Sequence, residues 1–145
     1  MEMILLIGIQ GSGKTTFFRE RFFDTHVRIS LDMLRTRERE RILIAACLAA
    51  QQPFVIDNTN TLASERAGYL ALAKKAGFRA AGYFFKTELR AAIARSNKRQ
   101  DRKLPVPAIL RTYKRLELPS KEEGFSELYT VVLDKENRFL IEPYS

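Results

Sequence analysis

The chain has 145 residues, 46% hydrophobic and 29% charged, proportions that fit one folded globular unit and exclude a disordered chain. Its longest apolar runs, near Ile4 to Ile7 and Ile42 to Ala50, fall well short of the roughly 20 residues needed to cross a bilayer, and the opening MEMILLIGIQG lacks the long apolar stretch of a signal peptide. The excess of 25 Lys+Arg over 17 Asp+Glu is local: residues 86–115 hold 10 basic residues against Glu88 and Asp101, and the remainder balances at 15 of each sign. Such a concentrated field attracts polyanions such as nucleotides or nucleic acid. A single cysteine, Cys47 in an apolar helical pattern, excludes an internal disulfide, so a cytoplasmic protein with no membrane attachment is expected.

In chain order, the first element is the strand MILLIGI, apolar without interruption and therefore suited to burial on both faces. It runs into GIQGSGKT and a helical pattern over 14–23. The strand VRIS leads to helical spacing over 31–52, and the strand PFVID to a helix over 62–76 with Thr61 as its expected N-cap and Glu65 in its first turn. RAAGYFF is a further strand, followed by a helix over 88–99. Pro105, Pro107 and Pro119 then punctuate short helices, which read as a lid spanning about 95–123, before YTVVLD and RFLIE form two strands joined by a tight turn. Strands alternating with helices predict an α/β fold, a three-layer sandwich with a central parallel sheet, here one domain over 1–145.

Gly8-x-x-x-x-Gly13-Lys14-Thr15 is a complete Walker A pattern between a strand and a helix. Glycines let backbone N–H groups form an anion nest, and the following helix N-terminus adds positive potential. Gly11, Ser12, Gly13, Lys14, Thr15 and Thr16 are thus expected to hold ATP, with Lys14 on the β- and γ-phosphates and Thr15 on Mg²⁺. Ligands of open α/β sheets bind beyond the carboxyl ends of the strands. Ser30 and Asp32 sit at such an end, with Arg35 three residues on. Asp32 is either a base for an attacking hydroxyl, with Arg35 holding an anionic acceptor, or a helix N-terminal acid paired with Arg35. Asp57 closes another apolar strand, as a Walker-B-like acid that holds Mg²⁺ would, and Asn58, Thr59 and Asn60 line its exit, where Asn58 and Asn60 are expected to contact the substrate. Arg95, Arg99 and Arg102 recur on one helix face, where lid arginines can stabilise transferring phosphate. The run RTRERERI alternates in sign and reads as an exposed helix face. Tyr113, Lys114 and Arg115 either pack the lid or contact a single strand.

The ordered set GIQGSGKTT, ISLDMLR, VIDNTN and RSNKR followed by VP resembles the kinase domain of phage and bacterial 5'-hydroxyl polynucleotide kinases over residues 3–115. Zeta-toxin-like kinases of sugar nucleotides and antibiotic kinases are wider relatives of that family. The resemblance implies a P-loop NTPase fold with Walker A after the first strand. It further implies that Asp32 is the general base, that Arg35 contacts the acceptor's phosphate, and that Arg95 and Arg99 contact the donor phosphates. The activity implied is ATP-dependent transfer to the 5'-hydroxyl ends of RNA or DNA. The chain lacks the D-x-D-x-T phosphatase motif often fused to such kinases. A small-molecule kinase and an ATP-binding switch module are the competing expectations.

Overall fold

In the computed structural model, which describes residues 1–98 and 105–145, the first apolar run forms β1 (Glu2–Ile7). Met3, Leu5 and Ile7 enter one core while Ile4 and Leu6 enter another on the opposite face, each at most 1% exposed. Alternating side-chain direction explains why this strand has no polar face. The remaining strands are β2 (Val27–Ile29), β3 (Phe54–Ile56), β4 (Arg79–Phe85), β5 (Glu127–Leu133) and β6 (Phe139–Pro143). Among the described residues they form a six-stranded sheet in the order β2-β3-β1-β4-β5-β6. Strands β1 to β5 pair in parallel, and β6 returns antiparallel along β5.

The helices are α1 (Lys14–Arg21), α2 (Leu31–Leu34), α3 (Arg37–Ala50), α4 (Ala63–Lys75), α5 (Leu89–Lys98) and α6 (Val106–Arg115). Phe17 and Phe18 of α1, with Phe22 just beyond it, close one sheet face over Val55, Ala81, Phe85 and Val131. Ile44 and Cys47 of α3 and Tyr69, Leu70 and Ala73 of α4 close the other. Each fully buried aliphatic or aromatic side chain contributes about 1.5–3 kcal/mol relative to exposure. A smaller cluster of Ile9, Ala92 and Ile109 ties α5 and α6 to the loop after β1.

Three local expectations are corrected. The helix expected over 31–52 is two helices, because Arg35 adopts φ 77° and Thr36 restarts the chain as N-cap of α3, its Oγ1 accepting from the Arg39 N–H at 3.2 Å. From Arg35 to Arg41 no residue is apolar, so the run of alternating charges, which suits an exposed helix face, conceals the break, whereas the cap satisfies an N–H that would otherwise be orphaned. Thr61 is not the cap of α4. Leu62 holds that position without a side-chain bond, and the Ala63 N–H donates instead to Glu117 Oε1 at 3.3 Å, from the segment after α6. The run RTRERERI is not wholly exposed, since Glu40 is buried at 5% exposure.

Arg66 on α4 is the largest fully buried side chain. Its Nε donates to Glu123 Oε1 at 2.8 Å, one Nη to Glu123 Oε2 at 3.1 Å, and the other to Asn60 O at 2.9 Å. Removing one member of a buried pair strands the other charge. Glu123→Gln is therefore expected to lower the unfolding free energy by about 3 kcal/mol, read from urea denaturation monitored by circular dichroism.

Candidate active site

The site begins with the turn that the glycines permit. Gly11 and Gly13 adopt φ 77° and 97°, and a Cβ on Gly11 would meet Ala92 O of α5 at 2.3 Å. Only glycine satisfies both the left-handed backbone and that approach. Ser12 is buried beneath the turn, Thr16 is exposed on the first turn of α1, and the Gly8 N–H donates to Thr59 O at 3.0 Å, joining the loop to the exit of β3. Lys14 Nζ donates to Gly8 O and Ile9 O, both at 2.8 Å, and lies 3.4 Å from Ser12 Oγ. Arg95 of α5 donates from Nε to Gly11 O at 2.7 Å, placing a lid guanidinium on this loop, and burial lowers its affinity for its proton. Arg99 and Arg102 lie outside the described residues.

At the β3 exit Asp57 meets the loop. Thr15 Oγ1 donates to Asp57 Oδ2 at 3.1 Å, and Arg28 Nε on β2 donates to the same oxygen at 2.8 Å. The Asp57 side chain is only 2% exposed, so Arg28 is the cation that compensates it. Sequence reasoning missed Arg28, although its signal was visible: a charged residue inside the strand VRIS, one position before the apolar Ile29 that faces the core.

Asp32 is exposed as the second residue of the short helix α2, beyond the carboxyl end of β2. Its position is set by a chain of hydrogen bonds. The Leu31 N–H donates to Asn58 Oδ1 at 2.9 Å, and Asn58 Nδ2 donates to Glu40 Oε2 at 2.9 Å. Glu40 Oε1 accepts from Tyr69 OH at 2.9 Å and from Arg37 at 3.0 Å. Asn58, expected at the substrate, is thus occupied in holding the start of α2. Asn60, also expected there, is buried at φ 51°, and its Nδ2 donates to Leu6 O at 2.7 Å and Ile56 O at 3.3 Å. It clamps β1 to β3 instead of facing an acceptor. Arg35 is exposed at the end of α2, and its left-handed backbone replaces the shared helix face expected with Asp32.

Two cavities flank α6. A polar cleft of about 460 Å³ is lined by Gln10, Arg37, Thr59, Thr61, Arg111 and Arg115 among others. A larger cavity of about 860 Å³ lies beside Ile9, Thr87, Arg95, Tyr113, Val132 and Leu133. No helix among the described residues is long and apolar enough to cross a membrane.

A parallel sheet with a glycine loop gripping a lysine at the end of its central strand, and an acid at the end of the neighbouring strand, defines an α/β P-loop NTPase fold. A family model described as an AAA domain matches residues 35–119, more than half of the chain, and the chain belongs to that family. The fold is similar to that of a gluconokinase from Sinorhizobium meliloti 1021, at TM-score 0.64 and 20% identity over 92% of this chain and 83% of that one. It is equally similar to Chaetomium thermophilum Kti12 in complex with ADP-AlF3, at TM-score 0.64 and 20% identity over 93% and 92% of the two chains. A sugar kinase from a Janibacter species gives TM-score 0.66 at 16% identity, over 95% and 87%.

Burial and then the Glu40 carboxylate push the Tyr69 phenol up to about 12. The unfolded chain loses that proton near pH 10, so the fold's advantage is complete below about pH 10 and disappears as pH rises to about 12. The stability difference between wild type and Tyr69→Phe should shrink by on the order of 2 kcal/mol across that window, measured by urea denaturation at stepped pH.

Proposed function

We propose that the protein is a Mg²⁺-dependent phosphotransferase that moves the γ-phosphate of ATP to an alcohol, the 5'-hydroxyl end of RNA or DNA being the acceptor. The observation that carries the reading is Asp32, exposed on a short helix whose first amide is held by the Asn58–Glu40 chain, beyond the β2 tip and so at the same end of the sheet as the phosphate loop. A base for an acceptor hydroxyl must be reachable from solvent on an element that is held in place, and Asp32 on α2 meets both conditions.

The loop amides from Gly11 to Thr15 are suited to the triphosphate tail, with Lys14 beside them and Arg95 laid across from α5. The larger cavity, bounded by Ile9 and Arg95, lies within the size range of a small-molecule site and is the place for the nucleotide base. Thr15 Oγ1 and Asp57 Oδ2, 3.1 Å apart, are hard oxygen donors that suit Mg²⁺, directly or through water. When bound, the ion would neutralise charge on the phosphates. Arg28 already lies on the Asp57 oxygen and would have to yield part of that contact. Lys14 and Arg95 stabilise negative charge on the transferring phosphoryl oxygens, while Asp32 accepts the hydroxyl proton as the oxygen attacks.

A small-molecule acceptor is the second reading, and the size of the polar cleft, about 460 Å³, favours it. So do the names of two structural neighbours, a gluconokinase and a sugar kinase.

Labelled ATP and Mg²⁺ incubated with a 5'-hydroxyl oligonucleotide, with gluconate and with a nucleoside should place label on the oligonucleotide end. Asp32→Ala should lower kcat by roughly 10²- to 10⁴-fold with ATP affinity within twofold of wild type. Label on gluconate or the nucleoside alone would select the second reading, and phosphate release without any labelled acceptor would reject both.

A further inference from the structure

We infer that the polar cleft beside α6 holds a phosphate group carried by the acceptor, remote from the hydroxyl that reacts, and that Arg111 and Arg115 bind it. The inference rests on the kinase reading for the word acceptor, but its chemistry is read from the cleft itself. Four residues of α6 line the cleft: Ala108, Arg111, Thr112 and Arg115. Their spacing of three, one and three residues is one continuous helical stripe. Tyr113, on the opposite side of the helix, lines the larger cavity, so α6 is the wall between two compartments of different character.

The stripe puts Arg111 and Arg115 four residues apart on one face, an arrangement of like charges that disfavours an isolated helix. Across the cleft Arg37 is already paired, with Glu65 at 2.7 Å and Glu40 at 3.0 Å. Glu65 is the carboxylate lining the cleft among the described residues, and Arg37 compensates it. Arg111 and Arg115 make no ion pair with another described residue, so the cleft carries two uncompensated guanidinium groups. Paired guanidiniums match the oxygens of a phosphate in geometry as well as charge.

The wall that carries the two arginines is held in place by side-chain bonds. Gln10 Nε2 donates to Thr112 Oγ1 at 2.8 Å, and Thr112 Oγ1 donates to Ala108 O at 3.0 Å. That relay fixes the amide orientation and turns Gln10 Oε1 inward, where it is buried with no hydrogen-bond partner among the described residues. That oxygen is closed off from the cleft, so the Gln10 amide serves to hold α6 in place, with the guanidinium groups of Arg111 and Arg115 left to meet the ligand. The cleft thus asks for a molecule with an anionic phosphate, as in a nucleotide unit of a polynucleotide or a phosphorylated sugar.

The test uses the whole protein saturated with a non-hydrolysable ATP analogue and Mg²⁺, so that the glycine loop cannot take the probe. Adenosine 3'-monophosphate, a hexose phosphate and inorganic phosphate are titrated calorimetrically beside adenosine and the free hexose. Wild type should bind at least one of the two organic phosphates about tenfold or more tighter than its dephosphorylated counterpart. Arg111→Gln/Arg115→Gln should abolish that advantage while leaving affinity for the ATP analogue unchanged. Which organic phosphate binds identifies the source, mononucleotide or sugar. Equal binding of phosphorylated and dephosphorylated probes to wild type, or an advantage that survives in the folded double variant, overturns the inference. Transfer to no acceptor combined with an Arg111- and Arg115-dependent phosphate advantage would defeat the kinase reading and leave the phosphate site standing.

Discussion

The Glu40 carboxylate is the point on which the hydrogen bonds around α2, α3 and α4 converge. A buried carboxylate is tolerated only when its lone pairs are engaged, and here Tyr69, Arg37 and Asn58 engage them from α4, α3 and the exit of β3. The consequence runs outward by one further bond, through Asn58 to the first amide of α2, and so to the residue that carries Asp32. A four-residue helix has too few internal bonds to hold its own direction. Its orientation is imposed by this network, which explains why so small an element can present a carboxylate reproducibly at the strand tip.

The large-scale architecture was legible because it rests on patterns that sequence displays directly. The uninterrupted apolar run of β1 announced burial on both faces, and the glycine and lysine spacing after it announced a phosphate loop. The hairpin of β5 and β6 was equally visible from its two apolar runs and the turn between them. What escaped was set by partners far away in the chain. Nothing near Glu40 signals that Tyr69 and Asn58 will bury it, and nothing near Arg66 signals Glu123. The break at Arg35 and Thr36 was masked by a run of charges of alternating sign that reads as one continuous exposed helix face. Asn58 and Asn60 were correctly placed at a strand exit, but spacing cannot distinguish an amide facing a ligand from one spent on its own backbone.

Helix α6 gives the two cavities their separate chemistry. The cluster of Ile9, Ala92 and Ile109 seats it, the Gln10 to Thr112 bond ties it to the glycine loop, and the Glu117 N–H donating to Thr61 O at 2.8 Å fixes the chain just beyond it. The local basic excess noted in the sequence is in part this wall, with Arg111 and Arg115 turned to one side and Arg95 on the neighbouring helix turned to the loop.

Arg28 carries an implication of another kind. Because β2 brings its own guanidinium to the nearly enclosed Asp57, the sheet can tolerate that carboxylate without borrowing a divalent ion from solution. Folding is thereby uncoupled from metal supply, unlike proteins whose acidic clusters assemble only around an ion. On the proposed reading an arriving magnesium ion would enter by exchange with a tethered cation, so folding and catalysis would answer to different concentrations of magnesium.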